Sequence, residues 1–105
     1  MTIEELSEYY RYSVEIKALD DELKYNRGKP GEEDTIANLE KLKALCEVKR
    51  AKISDYIFSV KDPLVVGMMY ARFILCKSWY GVAMYVGGNN TADSCRMTVF
   101  RYCGK

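Results

Sequence analysis

Between Met1 and Asp62 only one stretch can interrupt a helix: Asn26-Arg27-Gly28-Lys29-Pro30-Gly31, which holds every glycine and proline of that part of the chain. On either side of it apolar residues recur at three- and four-residue steps, the signature of an amphipathic helix. Before the break the stripe is Ile3, Leu6, Tyr10, Ser13, Ile16, Leu19 and Leu23, with Thr2 and Glu5 placed as a capping box. After it the stripe is Ile36, Leu39, Leu42, Leu45 or Cys46, Lys49, Ile53, Tyr56 and Val60, with Lys49 the one polar intruder. The spacing predicts a first helix over 3–25, about 33 Å long at 1.5 Å per residue, and a somewhat longer second one from Asp34 or Thr35 to Val60. Two such helices joined by a short loop make an antiparallel hairpin, packed like a coiled coil. A hairpin of this kind leaves apolar surface that a second copy can cover, so residues 1–61 are read as a dimerisation element and a homodimer is expected.

Lys61-Asp62-Pro63 punctuates the chain, with Asp62 suited to N-cap and Pro63 to the first helical position. A third helix is expected from Pro63 to about Leu75, burying Leu64, Met68, Ala71 and Leu75. Ser78 should cap a short fourth helix ending at Tyr85 or Val86, with Trp79, Val82, Ala83 and Val86 inward. Gly87-Gly88 supply positive-φ turn positions. Thr91 should cap a fifth helix, Ala92 to about Cys103, burying Cys95, Val99 and Tyr102. No strand pattern or internal repeat occurs. The fold expected is therefore all-α: a long N-terminal antiparallel helical hairpin, residues 1–61, then a three-helix unit, residues 62–105, containing a helix-turn-helix.

Composition narrows the chemistry. The chain of 105 residues has no histidine and a net charge of +1. That total hides an asymmetry. Residues 62–105 carry Arg72, Lys77, Arg96, Arg101 and Lys105 against only Asp62 and Asp93, whereas residues 1–61 have an acidic excess. Cys46, Cys76, Cys95 and Cys103 form no C-x-x-C pair, so a zinc site is not indicated, and no metal or other cofactor is expected. Cys95 and Cys103 lie two helical turns apart, roughly 12 Å along the axis, too far to bridge. Buried or half-buried free thiols in a reducing compartment are the simpler reading. Asp20-Asp21-Glu22 and Glu32-Glu33-Asp34 read as solvated helix ends. Without histidine no serine or cysteine has a partner base at telling spacing, and Gly28-Lys29 and Gly87-Gly88 lack the rest of a phosphate loop, so an enzyme is not expected. The nine tyrosines are scattered over every predicted helix and read as half-buried packing residues. No apolar run approaches the ~20 residues that span a bilayer, and the N-terminus is acidic, unlike a signal peptide; cytoplasmic residence is the expectation.

The segment Ser78 to Arg96 carries the functional reading. A short helix with small Ala83 at its middle, a glycine turn and a capped second helix make a helix-turn-helix. Such a unit inserts its second helix in the major groove of duplex DNA. Ala92, Asp93, Arg96 and Met97 would then face base edges. Arg96 suits a bidentate contact to guanine, and Ala92 or Met97 a thymine methyl. Lys77, Ser78, Thr91, Arg101 and Lys105 would contact phosphates.

Residues from about Ile53 to Lys105 resemble the C-terminal helix-turn-helix of small phage-encoded transcriptional regulators, the RinA/ArpU-like group, itself similar to region four of sigma factors. The residues that carry the resemblance are Ile57, Asp62, Arg72-Phe73-Ile74, Ser78-Trp79, Val82-Ala83, Gly88, Asn90-Thr91, Asp93-Ser94, Arg96 and Arg101-Tyr102. The hairpin with its Tyr-rich first helix is similar more loosely. Cys76-Lys77 stand where glycine and leucine are usual, Cys95 where a branched aliphatic is usual, and Thr98 where a larger apolar residue is usual. The resemblance implies sequence-specific binding to phage or prophage DNA in the host bacterial cytoplasm, regulation of transcription and self-association. The alternative is a protein-interaction module, such as a phage inhibitor holding host RNA polymerase or a defence nuclease through a vestigial helix-turn-helix. A DNA-packaging subunit is a third possibility and would assemble as a ring.

Overall fold

Thr2 and Glu5 start the first helix reciprocally: the Glu5 N–H donates to Thr2 Oγ1 at 3.1 Å and the Thr2 N–H donates to Glu5 Oε1 at 3.2 Å. The helix that follows, α1, runs Ile3–Asn26 in the computed structural model, which describes residues 1–104. It stops where the Arg27 N–H closes on the Leu23 carbonyl, and Gly28 and Gly31, at φ +86° and +85°, turn the chain. Next come α2 (Glu33–Ser59), α3 (Pro63–Met69), α4 (Trp79–Val86) and α5 (Ala92–Cys103). The described residues hold five α-helices and no strand, a hairpin followed by a smaller helical unit. None of these helices is long and apolar enough to cross a membrane.

The partners across the hairpin show its direction. Arg27 faces Glu40, Asp20 pairs with Lys43 at 2.6 Å, the Cys46 thiol donates to Glu15, and Arg50 donates to Ser13. Rising numbers on α2 meet falling numbers on α1, so the helices are antiparallel. The Lys43 contact holds the Asp20 carboxyl below its usual range. Its small stabilising contribution is therefore present above the ordinary carboxylate pKa and is lost as pH falls through the lowered one. The far end of the hairpin stands clear of the rest, giving extents of 59 × 24 × 18 Å and a radius of gyration of 17.4 Å. A compact chain of this length would have a radius of about 13 Å.

The core lies where the other end of the hairpin meets the C-terminal helices. Leu6, Ile57, Met68, Met69, Val82, Cys95 and Val99 are fully enclosed there, in one cluster that also takes in Tyr12, Ile53, Val65 and Phe73. Gly67 of α3 packs beside Val86 of α4, where a Cβ would make an ordinary contact 3.4 Å from Val86 Cγ1.

Four of the five helices follow the expected bounds to within a residue or two, but the third does not, and several inward residues differ. Tyr12 rather than Tyr10 is buried, its hydroxyl donating to Glu8 at 3.0 Å, while Tyr10 is exposed. On α2 the inward choice is Cys46 and Ile57, leaving Leu42 and Leu45 about half exposed. The third helix does not continue to Leu75. After Met69 the chain widens into a π-helical turn, Tyr70–Ile74, where the Leu75 N–H reaches back five residues to Tyr70. Val65, Met69 and Phe73 are enclosed instead of Leu64 and Leu75, and Tyr102 of α5 is exposed.

All four cysteines are free, and Cys76 is exposed rather than buried, at φ +58° just beyond the π-helical turn. Burial pushes the thiols of Cys46, Cys95 and Cys103 above their ordinary pKa, with a hydrogen bond to Glu15 adding to the effect at Cys46. In the native protein at pH 8, iodoacetamide should therefore modify Cys76 first, and Cys46 and Cys95 only after denaturant is added. Peptide mass mapping checks this; equal rates at Cys76 and Cys95 would contradict the burial described.

Candidate nucleic-acid interface

Asp62, Ser78 and Thr91 have extended backbone and each accepts a hydrogen bond from an amide in the first turn of the helix it precedes. The Leu64 N–H donates to Asp62 Oδ1 at 3.0 Å, the Gly81 N–H to Ser78 Oγ at 3.1 Å and the Ser94 N–H to Thr91 Oγ1 at 3.1 Å. Thr91 and Ser94 complete a reciprocal box, the Thr91 N–H donating to Ser94 Oγ at 2.8 Å. These caps fix where α4 and α5 begin. Gly87 and Gly88, at φ +70° and +67°, reverse the chain between them, and the Asn90 side-chain amide donates to the Gly87 carbonyl at 2.9 Å. Val82 and Ala83 of α4 and Cys95 and Val99 of α5 seal the angle between the two helices.

That packing decides which side of α5 remains outside. Asp93, Arg96, Met97, Phe100 and Arg101 are exposed; Ala92 is half-buried, and Thr98 turns its hydroxyl to the Ser94 carbonyl at 2.7 Å. Arg96 lies 3.8 Å from Asp93 and its guanidinium carbon is 5.6 Å from the Phe100 ring centre. Arg101 leans back on the Met97 carbonyl at 3.4 Å. Ser78 and Thr91 are exposed at the helix starts, and Lys77 is half-buried with its ammonium 6.0 Å from the Tyr85 ring centre. Lys105 lies outside the described residues. The structure thus brings Asp93, Arg96, Met97 and Arg101 onto one outer face and leaves Lys77 and Ser78 at the start of the neighbouring helix.

The chain matches no protein-family model, no curated protein and no solved structure.

Two contributors are invisible in the helical pattern. Arg72, in the π-helical turn, donates to the Lys77 carbonyl at 3.0 Å and stacks on Trp79, with 4.8 Å between guanidinium and ring centre. It ties down the approach to α4, and its spacing from Lys77 follows no helical rule. Trp79 in turn meets Phe100 edge-on at 6.2 Å. Arg72, Trp79 and Phe100 therefore form a continuous stack that ties α5 to the start of α4, and Arg96, on the same helix as Phe100, lies over the outer end of it. Among the described residues no group of three or more Cys, Asp or Glu stands close enough to hold a metal ion.

Proposed function

We propose that the exposed face of α5 reads duplex DNA, and that the chain acts as a small phage or prophage transcription regulator of the RinA/ArpU-like kind. The observation that carries this reading is the placement of Arg96 and Arg101 on the outer face of a capped helix. That helix is held at an angle to a second capped helix by a two-glycine turn. Arg96 is available for a base: its exposed contact with Asp93, at 3.8 Å, is worth about 0–1 kcal/mol, against ~1–3 kcal/mol for a bidentate contact to guanine. Met97 beside it offers an apolar surface for a thymine methyl. Arg101 on α5, with Lys77, Ser78 and Thr91 at the starts of α4 and α5, would supply phosphate contacts.

Selection from random duplex DNA near physiological salt should enrich a defined sequence. Arg96→Ala should weaken binding to that sequence by about 10–100-fold, corresponding to ~1–3 kcal/mol, and relax preference at one base pair. Arg101→Ala should weaken binding to all sequences and lower the salt dependence by about one phosphate contact. Undiminished binding by the Arg96/Arg101 double variant would rule out α5 as the reading helix.

A further inference from the structure

The nine-tyrosine pattern reads as scattered in the sequence, yet the fold gathers part of it. Phe58 near the end of α2, Tyr70 in the π-helical turn and Tyr85 on α4 form a continuous row, with ring centres 5.8 and 6.3 Å apart. The row borders an open groove of about 420 Å³ whose other walls are Pro63, Val66 and Gly67, and no charged side chain lines it. Beyond the row, α4 contains no charged residue at all, and its solvent side carries Tyr85 at one edge, 51% exposed, and Tyr80 and Met84, one turn apart and 70% and 68% exposed, at the other; Phe58 is 59% exposed. A surface helix without a single charge, showing aromatic and methionine side chains to water, has the composition of an interface centre.

We propose that this aromatic band is where a second copy of the chain docks, in a two-fold arrangement that sets the bands face to face. Two observations select that occupant. The first is charge: a band with no net charge can meet itself without opposing like charges, as a two-fold interface requires. Lys77, 6.0 Å from the Tyr85 ring centre, stays at its rim. The second is area. At 150–250 Å² per large side chain, the exposed fractions of Phe58, Tyr80, Met84 and Tyr85 with the groove walls amount to roughly 500–600 Å² per copy. A pair would then bury about 1,000–1,200 Å², at the threshold for a specific interface.

The hairpin is the weaker surface for the same purpose. On α2 the exposed Leu42, Leu45 and Val48 are smaller and are interleaved with Lys41, Lys49 and Lys52, and on α1 the exposed Tyr10, Val14 and Tyr25 are spread along the helix and do not gather into one patch. Pairing α2 with its own copy about Leu45 sets Lys41 opposite Lys49 of the second copy, a like-charge contact at each end.

The inference needs no DNA, so its failure is separate from failure of the DNA reading. Sedimentation equilibrium of the full chain at ~100 μM should give twice the 12.1 kDa chain mass. Met84→Glu with Tyr85→Glu should raise the dissociation constant at least 100-fold while helical circular dichroism is unchanged, and Leu45→Glu should leave the dimer intact. A monomeric parent chain, or a dimer that survives the Met84/Tyr85 change, overturns the proposal. If the double variant loses its helical signal, Phe58→Lys, on the α2 side of the groove, decides by the same measurement: monomer supports the band, dimer overturns it.

Discussion

Leu6→Ala should cost about 3–5 kcal/mol and lower the melting temperature by on the order of 15–30 °C. Leu6 is fully enclosed, and it comes from the second turn of α1, at the end of the hairpin that meets the C-terminal helices. Ser7 and Tyr10 on the same stretch lie beside Arg72, Phe73 and Cys76 of the π-helical region. Deleting the Leu6 side chain therefore opens a cavity at the junction of two parts of the molecule, and rigid helices on both sides limit how far it can collapse. A total stability of roughly 5–15 kcal/mol leaves little after such a loss. Leu45→Ala, the same chemical change on the exposed side of α2, should cost no more than about 0.5 kcal/mol. Thermal unfolding by circular dichroism separates the two. Equal effects would mean that Leu6 and Leu45 are equally enclosed, contrary to the packing found.

That contrast also marks how far the sequence could be read. Four of the five helix starts are legible because each has a chemical marker: Thr2 with Glu5, Asp62 with Pro63, Ser78, and Thr91 are the observed caps, and Ala92–Cys103 is the observed α5, whereas α2 begins at Glu33 with no side-chain cap, one residue or two before the expected start. The inward face was less so. On α1 three tyrosines fall within four residues, and only the Glu8 carboxylate, accepting from Tyr12, identifies which ring can enter the core with its hydroxyl satisfied. Leu45 and Cys46 were an open choice, and the smaller side chain went in, beside Glu15. From Leu64 to Leu75 nearly every residue is apolar, so periodicity has no polar side to register against. There the π-helical turn shifts the phase, enclosing Phe73 and releasing Leu75.

The outer face of α5 was legible for a simple reason: Asp93, Arg96 and Arg101 are charged, and Cys95 and Val99 define the opposite side. Phe100 lies outside the expected inward stripe of Cys95, Val99 and Tyr102, and nothing in the spacing indicates that it bridges Trp79 and Arg96 at the surface. Arg72 belongs to the basic excess of residues 62–105, yet its guanidinium is committed to Trp79 and the Lys77 carbonyl. The cations left at the proposed DNA surface are correspondingly fewer than the sequence total, which makes Arg96 and Arg101 the informative substitutions.

Gly87→Val should destabilise the protein by about 1–3 kcal/mol and, under the proposed function, weaken DNA binding beyond what the lost stability explains. Gly87 sits at φ +70°, ψ −159°, a backbone region open essentially to glycine alone. Nothing lies within 4 Å of where its Cβ would be, so the penalty comes from the backbone itself and not from a clash. The Gly87 N–H closes α4 on the Ala83 carbonyl, and its own carbonyl accepts from Asn90 just before the Thr91 cap. A valine that relaxes to negative φ has to break one of these bonds and rotate α5 relative to α4. Such a rotation moves Arg96 and Arg101 together while leaving their side chains intact. Gly28→Val is the control: Gly28 also has positive φ with open space around it, but it lies in the hairpin loop between α1 and α2. Comparable destabilisation by the two variants, measured in denaturant, with DNA affinity reduced only by Gly87→Val at temperatures where both remain folded, is the expected result. Equal DNA affinity for the two variants would mean that the α4–α5 angle is not what presents the reading face.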